Sequence, residues 1–171
     1  MTRVFAAGLA VLALVAGAAC DDDSPTSPSD TITLSAQLSP ANEVPPVSNA
    51  EASGSGTVTI RLRVTRNSAG TITAANADFE VTLAGFPPAT ALTMAHIHQG
   101  AVGTNGSIVV DTGLTPGQTT LATGAGSFTK NGIDVTPSIA QAIVADPSGF
   151  YFNIHTVLNS DGAARGQLTR S

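Results

Sequence analysis

The chain has 171 residues and one cysteine, which bounds it to one domain with little besides and excludes an intrachain disulfide, so the fold must hold by packing. Its net charge of −5 rests largely on Asp21, Asp22, Asp23 and Asp30; from Thr31 onward it is nearly neutral and carries no basic stripe, which excludes nucleic-acid binding. Charged residues make up only 11%, while 17 Gly, 10 Pro and abundant Thr and Ser favour short strands and tight turns over long helices.

The first 19 residues read as a signal peptide. Arg3 supplies a positive start, residues 4–15 are an uncharged apolar run, and Ala16-Gly17-Ala18-Ala19 supplies the small residues that cleavage needs. Cys20 follows at once, an arrangement that resembles a bacterial lipoprotein signal, in which the cysteine is lipidated and becomes the new N-terminus. Gly17 stands where that signal usually has Leu, and ordinary cleavage after Ala18 or Ala19 is the alternative. Residues 20–30 are then the lipidated cysteine and a disordered, Pro-broken polar tether. Ten extended residues reach at most about 35 Å, so the domain would stand just off a membrane surface. The implied location is outside the cell membrane, facing the periplasm or the exterior, with the bilayer as a partner through the anchor.

Residues 31–171 read as an all-β domain. Ile32, Leu34, Ala36 and Leu38 alternate with polar residues; so do Val58, Ile60, Leu62 and Val64, and then Phe79, Val81 and Leu83. Period-2 patterning of this kind means half-buried strands with one wet face. Asn67-Ser68-Ala69-Gly70 reads as a turn, and Gly54-Ser55-Gly56 as another. Further short strands are expected at 92–98, 107–111, 119–122, 125–129, 150–155 and 165–169. One short helix is expected: Asp134 or Thr136 caps it, Pro137 sits in its first turn, and Ile139, Ala140, Ile143 and Val144 recur at helical spacing. Many short strands with one connecting helix imply a two-sheet antiparallel β-sandwich.

Four segments carry a family resemblance: residues 38–46 with Asn42-Glu43-Val44-Pro45-Pro46, residues 95–100 with His96-Ile97-His98, residues 149–156 ending in His155-Thr156, and Arg165-Gly166-Gln167-Leu168. In this order they resemble the CHRD (chordin) domain over about residues 31–170. The last loop departs from the usual pattern, with Ala163-Ala164 where a glutamate is common. The resemblance implies an immunoglobulin-like β fold, no established enzyme activity and no agreed functional residues.

All three histidines lie in these segments. His96 and His98 project from one side of a strand. Phe150, Phe152 and Ile154 form the expected core face of the late strand, which turns Tyr151, Asn153 and His155 the other way. If Ile97 faces the core, three imidazoles can converge on one copper or zinc ion. As ordinary imidazoles they would lose such an ion as pH drops through about 6. The alternative is a hydrogen-bonded polar cluster pinning loops across the sandwich. Leu92 and Met94 share the parity of His96 and His98, a conflict that a bulge near Ala95 or a later strand start would remove. Copper/zinc superoxide dismutases also pair a sandwich with a His-x-His strand, but the long zinc loop, bridging histidine and paired cysteines are missing here. Met94 is expected as core filler, Asp111 and Asp161 as solvated or turn-forming acids, Arg165 as a partner of backbone carbonyls, and Asn42-Glu43 as a turn cap.

No nucleophile elbow or phosphate-binding loop is present. The expected function is therefore a lipid-anchored binding or interaction module without catalytic activity, with an unknown protein or matrix partner. The alternative is a histidine-based copper or zinc site with a metal-handling or redox-protective role. If Cys20 carries the anchor, Cys20→Ser moves the protein from the membrane to the soluble fraction; unchanged membrane fractionation of that variant contradicts the assignment.

Overall fold

The structure is a computed structural model that describes residues 1–2 and 29–171. Cys20, the leader from residue 3 and most of the tether lie outside the described residues. Ten strands form two antiparallel sheets joined by one short helix, the all-β sandwich expected. The first sheet runs β10-β1-β2-β3-β7, from β1 (Ser29–Leu38), β2 (Ser55–Arg66), β3 (Ile72–Ala84), β7 (Gly126–Asp134) and β10 (Thr169–Arg170). The second runs β5-β4-β8-β9, from β4 (Thr90–Gln99), β5 (Ser107–Asp111), β8 (Phe150–Thr156) and β9 (Ala164–Gln167), with β6 (Thr120–Leu121) also paired to β4. Among the described residues no helix is long and apolar enough to cross a membrane.

The first sheet follows the alternation in the sequence. Leu34, Ile60, Leu62, Phe79 and Val81 point inward and are buried, while Arg61 and Arg63 point outward to Glu80 and Asp78. The Asn67 side chain accepts from the N–H of Ala69 and of Thr71, both at 3.0 Å, which closes the β2–β3 turn at Gly70. Several boundaries differ from expectation; β7 runs on from the expected 125–129 to Asp134, because Ile133 and Asp134 pair with Ala77 and Asn76. β1 begins at Ser29, because Ser29 and Asp30 pair with Thr65 and Val64 and the Asp30 carboxylate meets Arg66 Nε at 3.2 Å. Ser55 and Gly56 open β2, paired to Ala84 and Leu83, and so are strand rather than turn.

The helix α1 (Pro137–Ala145) starts after Thr136 with proline in its first turn, and buries Ala140 and Ile143. It links β7 in the first sheet to β8 in the second. Phe79 and Phe152 stack across the sandwich with ring centroids 5.8 Å apart.

The second sheet is buried on both faces at β8, while β5 at its edge is largely exposed. All seven residues of β8 are buried. Phe150, Phe152 and Ile154 face the core; the polar side chains between them lie under three loops, residues 39–54, 100–106 and 157–163. Lids of this kind must be bonded to the sheet. Arg165 Nε donates to Asn42 O at 2.6 Å, and its Nη1 to Thr104 O at 3.1 Å and Asn105 Oδ1 at 3.0 Å. Glu51 is buried and accepts from Thr156 Oγ1 at 2.7 Å and Asn159 Nδ2 at 2.5 Å, tying the first loop to the third.

Candidate functional site

The parity conflict in β4 is resolved by a bulge. Leu92 pairs with Thr156 and Met94 with His155, so Thr93 is an extra residue on β4. Leu92 before the bulge, and Ala95 and Ile97 after it, all enter the core. His96 and His98 therefore turn to the outer side, where His155 arrives from β8, as the sequence suggested. Met94 turns out with them and is 38% exposed, so it is not the core filler expected; the same bulge takes it off the core face.

The three imidazoles meet in a buried cluster: His96, His98 and His155 are 2%, 8% and 5% exposed. One nitrogen from each lies within 4.8 Å of the other two. His96 Nδ1 and His155 Nε2 are 3.3 Å apart. Two nitrogens on a tetrahedral ion with bonds of 2.0–2.1 Å stand roughly 3.3–3.4 Å apart, so this edge already has ligand spacing.

Backbone carbonyls fix two of the tautomers. His98 Nδ1 lies 2.9 Å from Gly106 O, and His155 Nδ1 lies 2.8 Å from Ser160 O. A carbonyl only accepts, so each Nδ1 carries the hydrogen and each Nε2 is a bare lone pair. Residue 106 must be glycine for this, because a β-carbon there would overlap the Gln99 carbonyl. His96 has two choices. With its hydrogen on Nδ1 it makes one long hydrogen bond to His155. With its hydrogen on Nε2, facing Asp111 Oδ1 at 3.8 Å, three bare nitrogens converge. Carbonyl or carboxylate partners behind the rings are the usual backing of metal-ligating histidines.

Burial holds all three imidazoles below their ordinary range. His96 is pushed down to about 4, by desolvation first and then by His155, with Asp111 opposing. His98 and His155 are lowered by desolvation, against the hydrogen bonds to Gly106 and Ser160. At neutral pH all three are unprotonated.

Around the cluster, Tyr151 lies between the His98 ring, stacked at 4.8 Å, and the Arg165 guanidinium 4.6 Å from its centroid. Arg165 bonds backbone carbonyls, as expected. Asp111 forms a turn by accepting from Gly113 N at 2.8 Å, and also backs His96. Asp161 is exposed on the third loop. Glu43 caps the short turn at Pro40–Asn42 through its backbone. Its carboxyl was not singled out from the sequence: it is buried, Oε1 has no partner, and desolvation raises it to about 7 against the pull of Arg165. Asn153 was read only as an outward-facing residue, yet it is 3% exposed with Oδ1 unpartnered.

The family model for the CHRD domain matches residues 34–168. No curated protein and no solved structure matches the chain.

The depressed histidines set the acid stability of the metal-free fold. Unfolded histidines take up protons near pH 6.5 while the folded ones resist, so their contribution is complete above about 6.5 and is lost as pH falls toward 4. Glu43, raised to about 7, acts oppositely, but it is one group against three. The melting temperature of the metal-free protein should fall between pH 7 and pH 5; a flat or rising profile contradicts the buried neutral cluster.

Proposed function

The chain belongs to the CHRD-domain family, and from that premise we propose that it is an exported binding module whose working part is a copper or zinc site. His96, His98 and His155 are the ligands, and the protein acts by binding rather than catalysis. The observation that carries this reading is the bare, buried Nε2 of His98, which has no hydrogen-bond partner. In a purely structural polar cluster that atom needs a buried water or costs about 1–3 kcal/mol unpaired. An ion bonded to the three bare nitrogens satisfies it together with its two neighbours. Three neutral imidazoles suit Cu(II) or Zn(II) and leave a fourth position open. Since burial lowers all three rings, proton competition begins below the pH of about 6 that ordinary imidazoles would give.

The leader and Cys20 support a placement outside the membrane, with the site held near the bilayer by a lipid anchor. A second reading, a surface for a protein or matrix partner, is favoured by one observation. Val157 and Leu158 are 73% and 56% exposed, beside a pocket also lined by Pro87, Pro88 and Ala91.

Titration calorimetry of the protein without a histidine tag, at pH 7.5 with Cu(II) and with Zn(II), separates the two. The metal reading expects one ion per chain. Asp111→Asn should weaken binding only a few-fold, because its exposed carboxylate stands 3.8 Å from His96 Nε2, beyond hydrogen-bond length. Alanine at His96, His98 or His155 should each weaken it further. At free metal 100 times Kd the fold gains about 2.7 kcal/mol. Absence of stoichiometric uptake, or alanine variants that bind like the parent, leaves the histidines structural and the surface reading standing.

A further inference from the structure

Five buried side-chain atoms among the described residues have no hydrogen-bond partner: Glu43 Oε1, Thr93 Oγ1, His98 Nε2, Asn153 Oδ1 and Arg165 Nη2. Thr93 belongs to the bulge. The other four share the outer side of the second sheet, and native structures leave few such atoms anywhere. The strand register groups them. His96 lies opposite Asn153, and Asn153 opposite Arg165, in one row across β4, β8 and β9. Directly opposed residues on one face have β-carbons about 4.5–5.5 Å apart, so Asn153 stands between His96 and Arg165 in this row, while the Arg165 guanidinium lies over the Tyr151 ring that stacks on His98.

Glu43 closes this space from the loop above. A β-carbon on residue 162 would lie 2.6 Å from Glu43 Oε2 and 2.9 Å from Asn153 Nδ2. Gly162, at φ 147°, is required for its backbone, and it lets Glu43 and Asn153 close over it where a side chain would push them away. Glu43 and Gly162 also line a pocket of about 290 Å³ between residues 43–49 and 158–162, which reaches solvent.

We infer that the fourth position of the ion opens into this chamber of Glu43, Asn153 and Arg165, where the ion holds an exchangeable water that small monoanions replace. The inference rests on the metal reading above. The donors and acceptors match it. A water on the ion has two hydrogens, and Glu43 Oε1 and Asn153 Oδ1 are two vacant acceptors. Three neutral imidazoles leave the charge of a divalent ion uncompensated, and the Arg165 guanidinium adds a free N–H and further positive charge. Both attract a monoanion, and the Glu43 carboxylate opposes them. The site is thereby the open kind, with an exchangeable ligand, rather than a closed structural one.

The test uses the full chain without a histidine tag, loaded with Cu(II), its bound copper counted, then titrated with sodium azide at pH 8. The azide-to-copper charge-transfer absorption and the copper EPR spectrum are followed. The wild type should bind one copper per chain and then one azide per copper. Gly162→Ala should keep the copper count and weaken azide by about tenfold or more, because its methyl drives the Glu43 and Asn153 side chains into the chamber. Glu43→Gln keeps the shape without the charge and should tighten azide about three- to tenfold. Full copper loading with no azide band overturns the chamber and leaves the metal reading intact. A chain that takes up no copper overturns both. Should Gly162→Ala fail to fold, Glu43→Gln decides: an azide affinity equal to the parent's overturns the assignment.

Discussion

The extra residue in β4 is the constraint on which the site depends. A strand alternates strictly, so apolar Leu92 and the two histidines four and six residues later would share one face. Thr93 breaks that count. With it, Leu92, Ala95 and Ile97 fill the core and the imidazoles stand outside it. Without it, either two imidazoles would enter an apolar core unpaired, or the strand would lose its core residues. A bulge next to a functional cluster is a recurring way to re-aim side chains.

Turning the histidines outward does not expose them. Around β8 the outer face of the second sheet is covered by three loops, which gives the sandwich a second, polar interior beside its apolar one. Polar groups there need partners, and most have them. Arg165 and Glu51 bond the loops down, while Gly106 and Ser160 supply the carbonyls that orient His98 and His155. The loops that bury the cluster are therefore also what aligns its nitrogens. Burial also keeps the rings neutral, the state in which imidazole binds metal.

Much of the first sheet was legible in the sequence, because β1, β2 and β3 carry clean apolar–polar alternation and one wet face. The helix was legible from Pro137 and the spacing of Ile139, Ala140 and Ile143. The candidate ligands were legible too, as the only histidines, and the parity clash between Leu92 and His96 pointed to either a bulge near Ala95 or a later strand start; the bulge is at Thr93. The buried polar layer was not. Asn153, Glu43 and Glu51 look like ordinary surface residues in the sequence, since alternation predicts which side a residue faces but not what covers that side. Long-range partners such as Arg165 with Asn42, or Glu51 with Thr156, follow from loop packing that has no period. Met94 was misjudged for the same reason: hydrophobicity alone assigned it to the core, and the bulge moved it.

If the triad is a metal site, the fold presents its bare histidine nitrogens before any ion arrives. Long-range proton–nitrogen NMR of the ¹⁵N-labelled, metal-free protein, followed through a zinc titration, reads each ring's tautomer directly. His98 and His155 should carry their hydrogen on Nδ1 from the start, and zinc should shift their Nε2 signals without changing the tautomer. His96 should end with its hydrogen on Nε2, toward Asp111. If His98 or His155 carries its hydrogen on Nε2 in the metal-free protein, or if zinc leaves all three rings unmoved, the account is wrong.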